Sequence, residues 1–472
     1  MMVEYSLFLK AMRTSFVYTF LVLIFCNMVA CKKTGFNTDP NASVTFSTDE
    51  LNFDTVFTSV GSVTQSFKIF NNNDQKLRLD EIKLMGVNSS FKINVDGLPG
   101  TTFHQVEIEP EDSIYVFVSV NVPPDANPSS FEIKDSIQVR YNGRMRQVNL
   151  TAQAQNARFL RNVLVTTDTT WTADLPIVIF GQLTVQESAT LTILPGSRIF
   201  CHADAPLIVD GNIQANGTLN QKIIFRGDRL DEPYKNFPAG WPGFVFNSLS
   251  LGNSLVHCEI RNAYQAITAA PVSEVFLDKC IIDNAYDAGI IASNAFITAE
   301  NTLITNCGSN VVLLGGGGYS FTHCTLASFG NLYIQHKKPV LTISNFISGQ
   351  QPNNLTCNFT NNIMWGEGGV VDNEIVVQRH SNTTGNFTVS FDGLLYKNKT
   401  ALAGPGITLA GNILLSQNPQ FDTIDVSKNR YRFNLAATSP AIDKGKPTPV
   451  INDIDDHLRD NNPDLGCYEF KP

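Results

Sequence analysis

The sequence predicts an all-β protein in which a two-sheet sandwich is followed by a parallel β-helix and a C-terminal cap. The strongest observation is a ladder of asparagines: Asn262, Asn284 and Asn306 are 22 residues apart, and Ser328 and Gly349 continue the register at 22 and 21. A fixed period in this range is typical of a solenoid, whose repeats bury their apolar sides only by stacking on one another. Asparagine at a recurring inward turn can bond to the backbone of the coils above and below it.

Residues 1–30 have the pattern of a targeting segment that is not part of the fold. Lys10 and Arg13 precede an apolar run over residues 16–29, and a small residue stands before Cys31. This is the pattern of a secretory signal peptide, and the cysteine after the small residue resembles the lipobox of bacterial lipoproteins. The resemblance implies that Cys31 carries a lipid and that residues 31–42 tether the protein to a membrane. A single membrane-spanning anchor is the alternative, which the short apolar run disfavours.

The lipid implies a place at the outer membrane, and the cell surface is favoured over the periplasmic side. One observation counts against the cell surface: the residues after Cys31 are basic, whereas surface-exported lipoproteins of the Bacteroidota type often carry an acidic run there. A net charge of −9 without a basic stripe excludes a nucleic-acid partner.

The cysteines do not predict a disulfide framework or a cofactor. Nine are present, and setting aside Cys31 and the one in the signal segment leaves seven, an odd number. Cys258, Cys280 and Cys324 share one inward position of the repeat, where a stack of small apolar side chains is favoured. A disulfide between Cys258 and Cys280 is left open. We expect no cofactor, with calcium the one metal kept as an alternative.

Residues 43–157 alternate as short strands and predict the sandwich. The hairpin signal is strongest at Tyr141-Asn142-Gly143-Arg144, where both central residues favour the turn that joins two strands. About seven short strands in this length suit an immunoglobulin-like sandwich. The segment around Phe67-Lys-Ile-Phe-Asn resembles the interaction sandwiches of the major-sperm-protein/ASH kind, which implies a spacer or docking module.

Residues 158–410 form successive strand–turn units and predict the β-helix. Apolar alternation runs through residues 182–199 and 207–218, and Pro195 and Gly211 stand where tight corners need them. This string resembles the opening coils of right-handed parallel β-helix proteins of the pectate-lyase-like superfamily, and residues 225–234 resemble a stretch of β-helix lipoproteins of the Bacteroidota. The resemblance implies fold much more than activity.

Residues 411–472 are predicted to cap the last coil, because an open solenoid end would leave unpaired strand edges. Their segments around Asp443, Asp455 and Asp464 resemble a C-terminal signature of bacterial surface β-helix proteins, with Asp456 and Cys467 as departures. The acidic group is a calcium candidate through Asp453, Asp455 and Asp464, although a turn-capping role is favoured.

The charged residues on the outward side of the coils are the candidates for catalysis. Alternation places Glu259, Arg261, Lys279 and Asp283 on two neighbouring coils. A lyase needs Arg or Lys to take a proton, and a hydrolase needs two carboxylates. Solvated charges on an exposed strand are the favoured interpretation.

Two further surfaces are candidates for binding. Ile281, Leu303 and Phe346 are predicted to form an outward apolar ridge, covered either by the C-terminal part of the chain, which is favoured, or by a partner. The insertion that carries Asp228, Arg229, Asp231 and Tyr234 is either an internal Arg–Asp brace or a projecting binding loop, and these are equally weighted.

We therefore favour a membrane-tethered binding or scaffold protein, whose partner is an outer-membrane protein or a surface glycan, over an enzyme. The alternative is a polysaccharide lyase or glycoside hydrolase that acts on an acidic glycan at the outer face of the β-helix.

Overall fold

A computed structural model describes residues 35–58, 63–123 and 131–471, which form an all-β protein of two compact units. Of the described residues, the first unit comprises 35–58, 63–123 and 131–154, and the second comprises 155–471. The predicted signal peptide and Cys31, the predicted site of lipid attachment, lie outside the described residues. No helix among the described residues is long and apolar enough to cross a membrane.

The first unit is the predicted sandwich of two antiparallel sheets. Their strand orders are β1-β3-β8-β5-β6 and β2-β10-β9-β4-β7. Strand β8 shows the reason for the fold, because its residues alternate between buried and outward positions and so present one apolar face to the other sheet. The strands are β1 (Val44–Phe46), β2 (Glu50–Phe57), β3 (Gln65–Asn71), β4 (Leu77–Leu84), β5 (Phe91–Val95), β6 (Leu98–Gly100), β7 (Thr102–Ile108), β8 (Ser113–Val120), β9 (Phe131–Tyr141) and β10 (Arg144–Gln155).

The predicted Asn-Gly hairpin joins β9 to β10. Tyr141 pairs with Arg144, and Asn142 and Gly143 both adopt left-handed backbone, with φ of 46° and 74°. Two left-handed residues match the twist of the flanking strands. The Asn142 amide also donates to the carbonyls of Asn37 and Asp39, so the end of the predicted tether packs on the sandwich.

The second unit is a parallel β-helix. Its strands stack coil upon coil in one sheet of 23 strands. They are β11 (Arg158–Val165), β12 (Thr169–Trp171), β13 (Ile177–Val185), β14 (Thr190–Ile193), β15 (Arg198–Cys201), β16 (Leu207–Val209), β17 (Asn212–Asn216), β18 (Ile223–Gly227), β19 (Phe244–Phe246), β20 (Asn253–Val256), β21 (Cys258–Arg261), β22 (Gln265–Ala269), β23 (Glu274–Asp278), β24 (Ile281–Asp283), β25 (Ala288–Glu300), β26 (Leu303–Thr305), β27 (Val311–Thr322), β28 (Thr325–Ser328), β29 (Leu341–Ser344), β30 (Leu355–Gly366), β31 (Ile375–Gln378), β32 (Phe387–Tyr396) and β33 (Ile407–Leu415).

The 22-residue register holds through β21, β24, β26 and β28 and then changes. Thr325 of β28 pairs with Ile363 of β30, and Ser328 pairs with Gly366. The predicted continuation to Gly349 is therefore wrong, because longer turns on both sides of β29 lengthen this coil. Phe346 falls in one of those turns, half-buried against the ring of His380 at 5.0 Å between centroids, and is not part of the ridge.

The cysteine stack is apolar and reduced in the structure. All seven cysteines within the described residues are buried and free. The thiols of Cys258 and Cys280 donate to the carbonyl oxygens of Ala215 and Leu255, and they form no disulfide with each other.

Residues 416–471, which we name the C-terminal strap, lie along the side of the β-helix. The strap begins after β33, which continues the solenoid to Leu415, past the predicted boundary at residue 410. It contains the antiparallel strands β34 (Phe421–Asp425) and β35 (Arg430–Leu435), and the two 3-10 turns of the unit are Tyr234–Asn236 and Val426–Lys428.

The strap covers the column of strands β24, β26, β28, β30 and β32. Leu303, predicted to point outward, is 4% exposed in a cluster with strap residues that include Phe433, Leu465 and Cys467, and Ile281 packs at its edge. Apolar side chains on the outer face of a solenoid need such a cover, and here the chain supplies its own. The ridge is consequently not a free surface for a partner.

Candidate functional site

A groove of about 610 Å³ lies between the β-helix and the strap. Its floor is the outward face of β18, β21, β24 and β26, and its outer wall is strand β35 with Tyr468. We name it the strap groove. Seven asparagines are among the residues that line it: Asn236, Asn262, Asn284, Asn306, Asn331, Asn429 and Asn434.

Three of the four predicted catalytic candidates meet on this floor. Arg261 donates from Nε to Glu259 Oε2 and from Nη1 to Asp283 Oδ2, both at 3.2 Å. Lys222 donates to the other oxygen of Glu259 at 3.3 Å. They meet because Glu259 and Arg261 are two positions apart on β21 and so share its outward face, and Asp283 is in register with Arg261 on the next coil.

The same surroundings shift the pKa values of Glu259 and Asp283 in opposite directions. Burial raises the pKa of Asp283, and the charge of Arg261 offsets only part of that rise. Burial acts in the same direction on Glu259, but the charges of Arg261 and Lys222 outweigh it and leave its pKa lowered. At neutral pH Glu259 is therefore ionised, while Asp283 holds a proton more readily than an ordinary aspartate.

Lys279 is not part of the groove. It occupies a left-handed corner with φ of 53°, which interrupts the alternation that predicted it to share a face with Glu259. Its ammonium pairs with Asp456 of the strap, and His257 at the preceding corner lies 3.4 Å from the same carboxylate. Lys279 therefore helps to attach the strap.

The asparagine ladder lies at another set of left-handed corners and holds the walls of the groove. Asn262, Asn284 and Asn306 have φ of 60°, 59° and 50°, a region that asparagine tolerates better than most residues. The Asn284 amide donates to Asn262 Oδ1 at 2.8 Å and to the Asn236 carbonyl at 2.9 Å. It accepts from Asn331 at 2.7 Å. The ladder thus fixes two loops that line the groove.

The insertion at residues 228–234 is internally braced and also presents an aromatic ring. Arg229 makes a two-bond pair with Asp231 at 2.7 and 2.8 Å and stacks over Tyr234 at 4.0 Å. Asp228 bonds to His202 at 2.7 Å instead. Tyr234 remains 45% exposed and contacts Phe237, next to the groove residue Asn236.

The acidic group of the strap bonds to its own backbone. Asp453 accepts from the amides of Asp455, His457 and Glu469 at 2.8–2.9 Å. Asp464 accepts from two further backbone amides, and burial raises its pKa to about 6. Within the described residues no group of three or more His, Cys, Asp and Glu side chains has the arrangement of a metal site.

Sequence reasoning did not find the remaining groove residues. Arg226 lies beside Arg261 because Phe225 pairs with Ile260, but an insertion separates these arginines by 35 residues and hides the repeat. Tyr431 and Tyr468 reach the groove only through the fold of the strap, and nothing in their sequence spacing signals this position.

Comparisons with known proteins give no family for the chain. No family model matches it, and no curated protein matches it. One similar solved structure is a family 123 glycoside hydrolase from Clostridium perfringens, studied for glycolipid glycan hydrolysis, with 11% identity and a TM-score of 0.19 over 26% of each chain. Another is a protein of unknown function from Porphyromonas gingivalis W83, with 10% identity and a TM-score of 0.18 over 26% of this chain and 59% of that chain. The matched part of this chain therefore covers less than two thirds of either structure.

Proposed function

We propose that this protein is a glycan-binding protein of the bacterial cell envelope and that the strap groove holds the glycan. The observation that carries the proposal is the composition of the groove: seven asparagines and an ion-paired triad line about 610 Å³ of space, with Tyr431 and Tyr468 beside them. Amides and charged groups supply the hydrogen bonds that sugar hydroxyls need, and tyrosine combines an apolar ring with a polar tip. The covered ridge favours a glycan over an outer-membrane protein partner.

The proposed setting is the outer membrane, with the lipid on Cys31 as anchor and the binding unit at the cell surface. Membership of the pectate-lyase-like superfamily, and an origin among lipoproteins of the Bacteroidota, belong to the same proposal. The sandwich would act as a spacer or docking module between the anchor and the β-helix. We propose that binding needs no cofactor.

Screening of the purified protein on a glycan microarray tests this function. The expected result is binding of one or more oligosaccharides that is lost in Ile224→Trp, which places a bulky ring on the groove floor at an outward position of β18. Ile208→Trp is the matched control, because Ile208 is likewise half-buried at an outward position of β16 and does not line the groove. Unchanged binding by Ile224→Trp, or no binding of any glycan by the native protein, would refute the proposal.

Glycoside hydrolysis is the second candidate, and the opposite pKa shifts of Glu259 and Asp283 favour it over a lyase. A protonated Asp283 could donate a proton to a leaving group while ionised Glu259 acts as the base or nucleophile. A lyase would need Arg261 or Lys279 as its base. The charges of Asp283 and Glu259 outweigh burial and raise the pKa of Arg261, so this arginine gives up its proton less readily. Lys279 lies outside the groove, paired with Asp456 of the strap. Hydrolysis predicts new reducing ends from a bound oligosaccharide, abolished by Asp283→Asn. Binding without turnover would exclude it.

A further inference from the structure

Arg226 is a cation in the strap groove for which the described part of the chain supplies no counter-charge. Its Nη2 donates to the Lys235 carbonyl at 2.6 Å, whereas its Nε is buried and has no partner among the described residues. No ion pair of Arg226 occurs within those residues. Burial lowers the pKa of Arg226, and the neighbouring charge of Arg261 acts in the same direction.

The two carboxylates on the groove floor, Glu259 and Asp283, are engaged by other cations. Both carboxylates already bond to Arg261, and Glu259 bonds to Lys222 as well. A partly buried charge without a partner is costly, so an anion at this position would relieve an existing penalty.

We propose that the strap groove selects glycans that carry an anionic substituent, and that Arg226 binds this substituent. This inference rests on the proposed function and adds the class of ligand. A carboxylate and a sulfate ester both accept charge-assisted hydrogen bonds from a guanidinium. Either substituent would supply the half-buried guanidinium of Arg226, which lines the groove, with the counter-charge that the described residues do not supply.

Isothermal titration with matched oligosaccharides tests the inference. The probes are tetragalacturonate, its methyl ester, and a galactose oligosaccharide with 6-sulfate groups. We expect the ester to bind at least about tenfold more weakly than the free acid, as the loss of one charge-assisted bond requires. The affinity of Arg226→Gln for tetragalacturonate should fall to its affinity for the methyl ester. Arg158→Gln, which removes an arginine at the start of the β-helix, is the control and should keep the preference.

The outcomes separate this inference from the proposed function. Equal binding of acid and ester by the native protein would overturn the anion preference and leave glycan binding intact. Tight binding of the sulfated probe alone would identify sulfate as the substituent, and binding of the acid alone would identify carboxylate.

A direct anion measurement decides the case in which no probe glycan binds. Thermal unfolding in acetate and in sulfate is compared between the native protein, Arg226→Gln and Arg226→Lys. We expect either anion to stabilise the native protein and the lysine variant more than the glutamine variant. An equal shift in all three proteins would contradict an anion site at Arg226, whatever the glycan results.

Discussion

Replacing His323 by asparagine is expected to remove a large part of the acid sensitivity of the strap. His323 is fully buried beneath the strap, and burial, together with the nearby charge of Arg459, lowers its pKa to about 2. The unfolded chain takes up a proton near the ordinary pKa of about 6.5, so stability is full above that pH and falls steadily below it. At about pH 5 the loss from this residue is about 2 kcal/mol.

Asparagine is the matched replacement because His323 has a left-handed backbone. Its φ is 52°, and Asn301 and Asn361 occupy the equivalent corners of the neighbouring coils with φ of 43° and 56°. Asp464 acts in the opposite direction, since its pKa is raised to about 6 and stability returns as the pH falls below that value. This contribution is common to both proteins and cancels in their difference.

The assay is urea unfolding at about pH 8 and about pH 5, followed by the fluorescence of the three tryptophans. One of them, Trp365, is buried in the apolar cluster under the strap. The difference in free energy of unfolding between the native protein and His323→Asn should change by about 2 kcal/mol between the two conditions. His104→Asn, at an exposed position of the sandwich, should leave the pH dependence unchanged. Parallel pH profiles for the native protein and His323→Asn would refute the assignment of a buried neutral imidazole.

Three further substitutions test the packing around the groove. Arg261→Leu should lower the free energy of unfolding by about 2 kcal/mol in urea, because Glu259 and Asp283 lose their shared cation. Adding Glu259→Gln and Asp283→Asn, which removes the two charges left behind, should recover most of this loss. Leu303→Ala should cost about 2–4 kcal/mol and expose the strap to limited proteolysis, so an unchanged cleavage pattern would speak against strap packing. Asn284→Ala should lower the free energy of unfolding by about 1–3 kcal/mol in thermal or urea unfolding. Asn284→Gly should cost less, because glycine accepts the left-handed backbone. Equal costs for the two variants would assign the effect to lost hydrogen bonds alone.

The architecture could be predicted because its causes are local and repeated. Strand alternation, the Asn142-Gly143 turn and the even spacing of the ladder each depend on a few neighbouring residues, and the structure confirms the all-β fold and the parallel stacking. The prediction failed at Gly349, where lengthened turns changed the period. A fixed interval predicts pairing only until an insertion alters the length of a coil.

The candidate site could be predicted only in part, because the strap determines it. Glu259, Arg261 and Asp283 were found from alternation and register, but Lys279 was misplaced because a left-handed corner breaks alternation. Contacts between the strap and the β-helix join residues far apart in sequence, such as Arg459 with Asn301. Such pairings have no period in the sequence.

Hydrogen–deuterium exchange with a bound oligosaccharide tests the central claim most directly, because it locates the glycan without any substitution. The account predicts slower exchange confined to β18, β21, β24, β26, the adjoining loop at Asn331 and strand β35 of the strap. Protection confined to the sandwich, or to the opposite side of the β-helix, would contradict the assignment of the strap groove as the binding site.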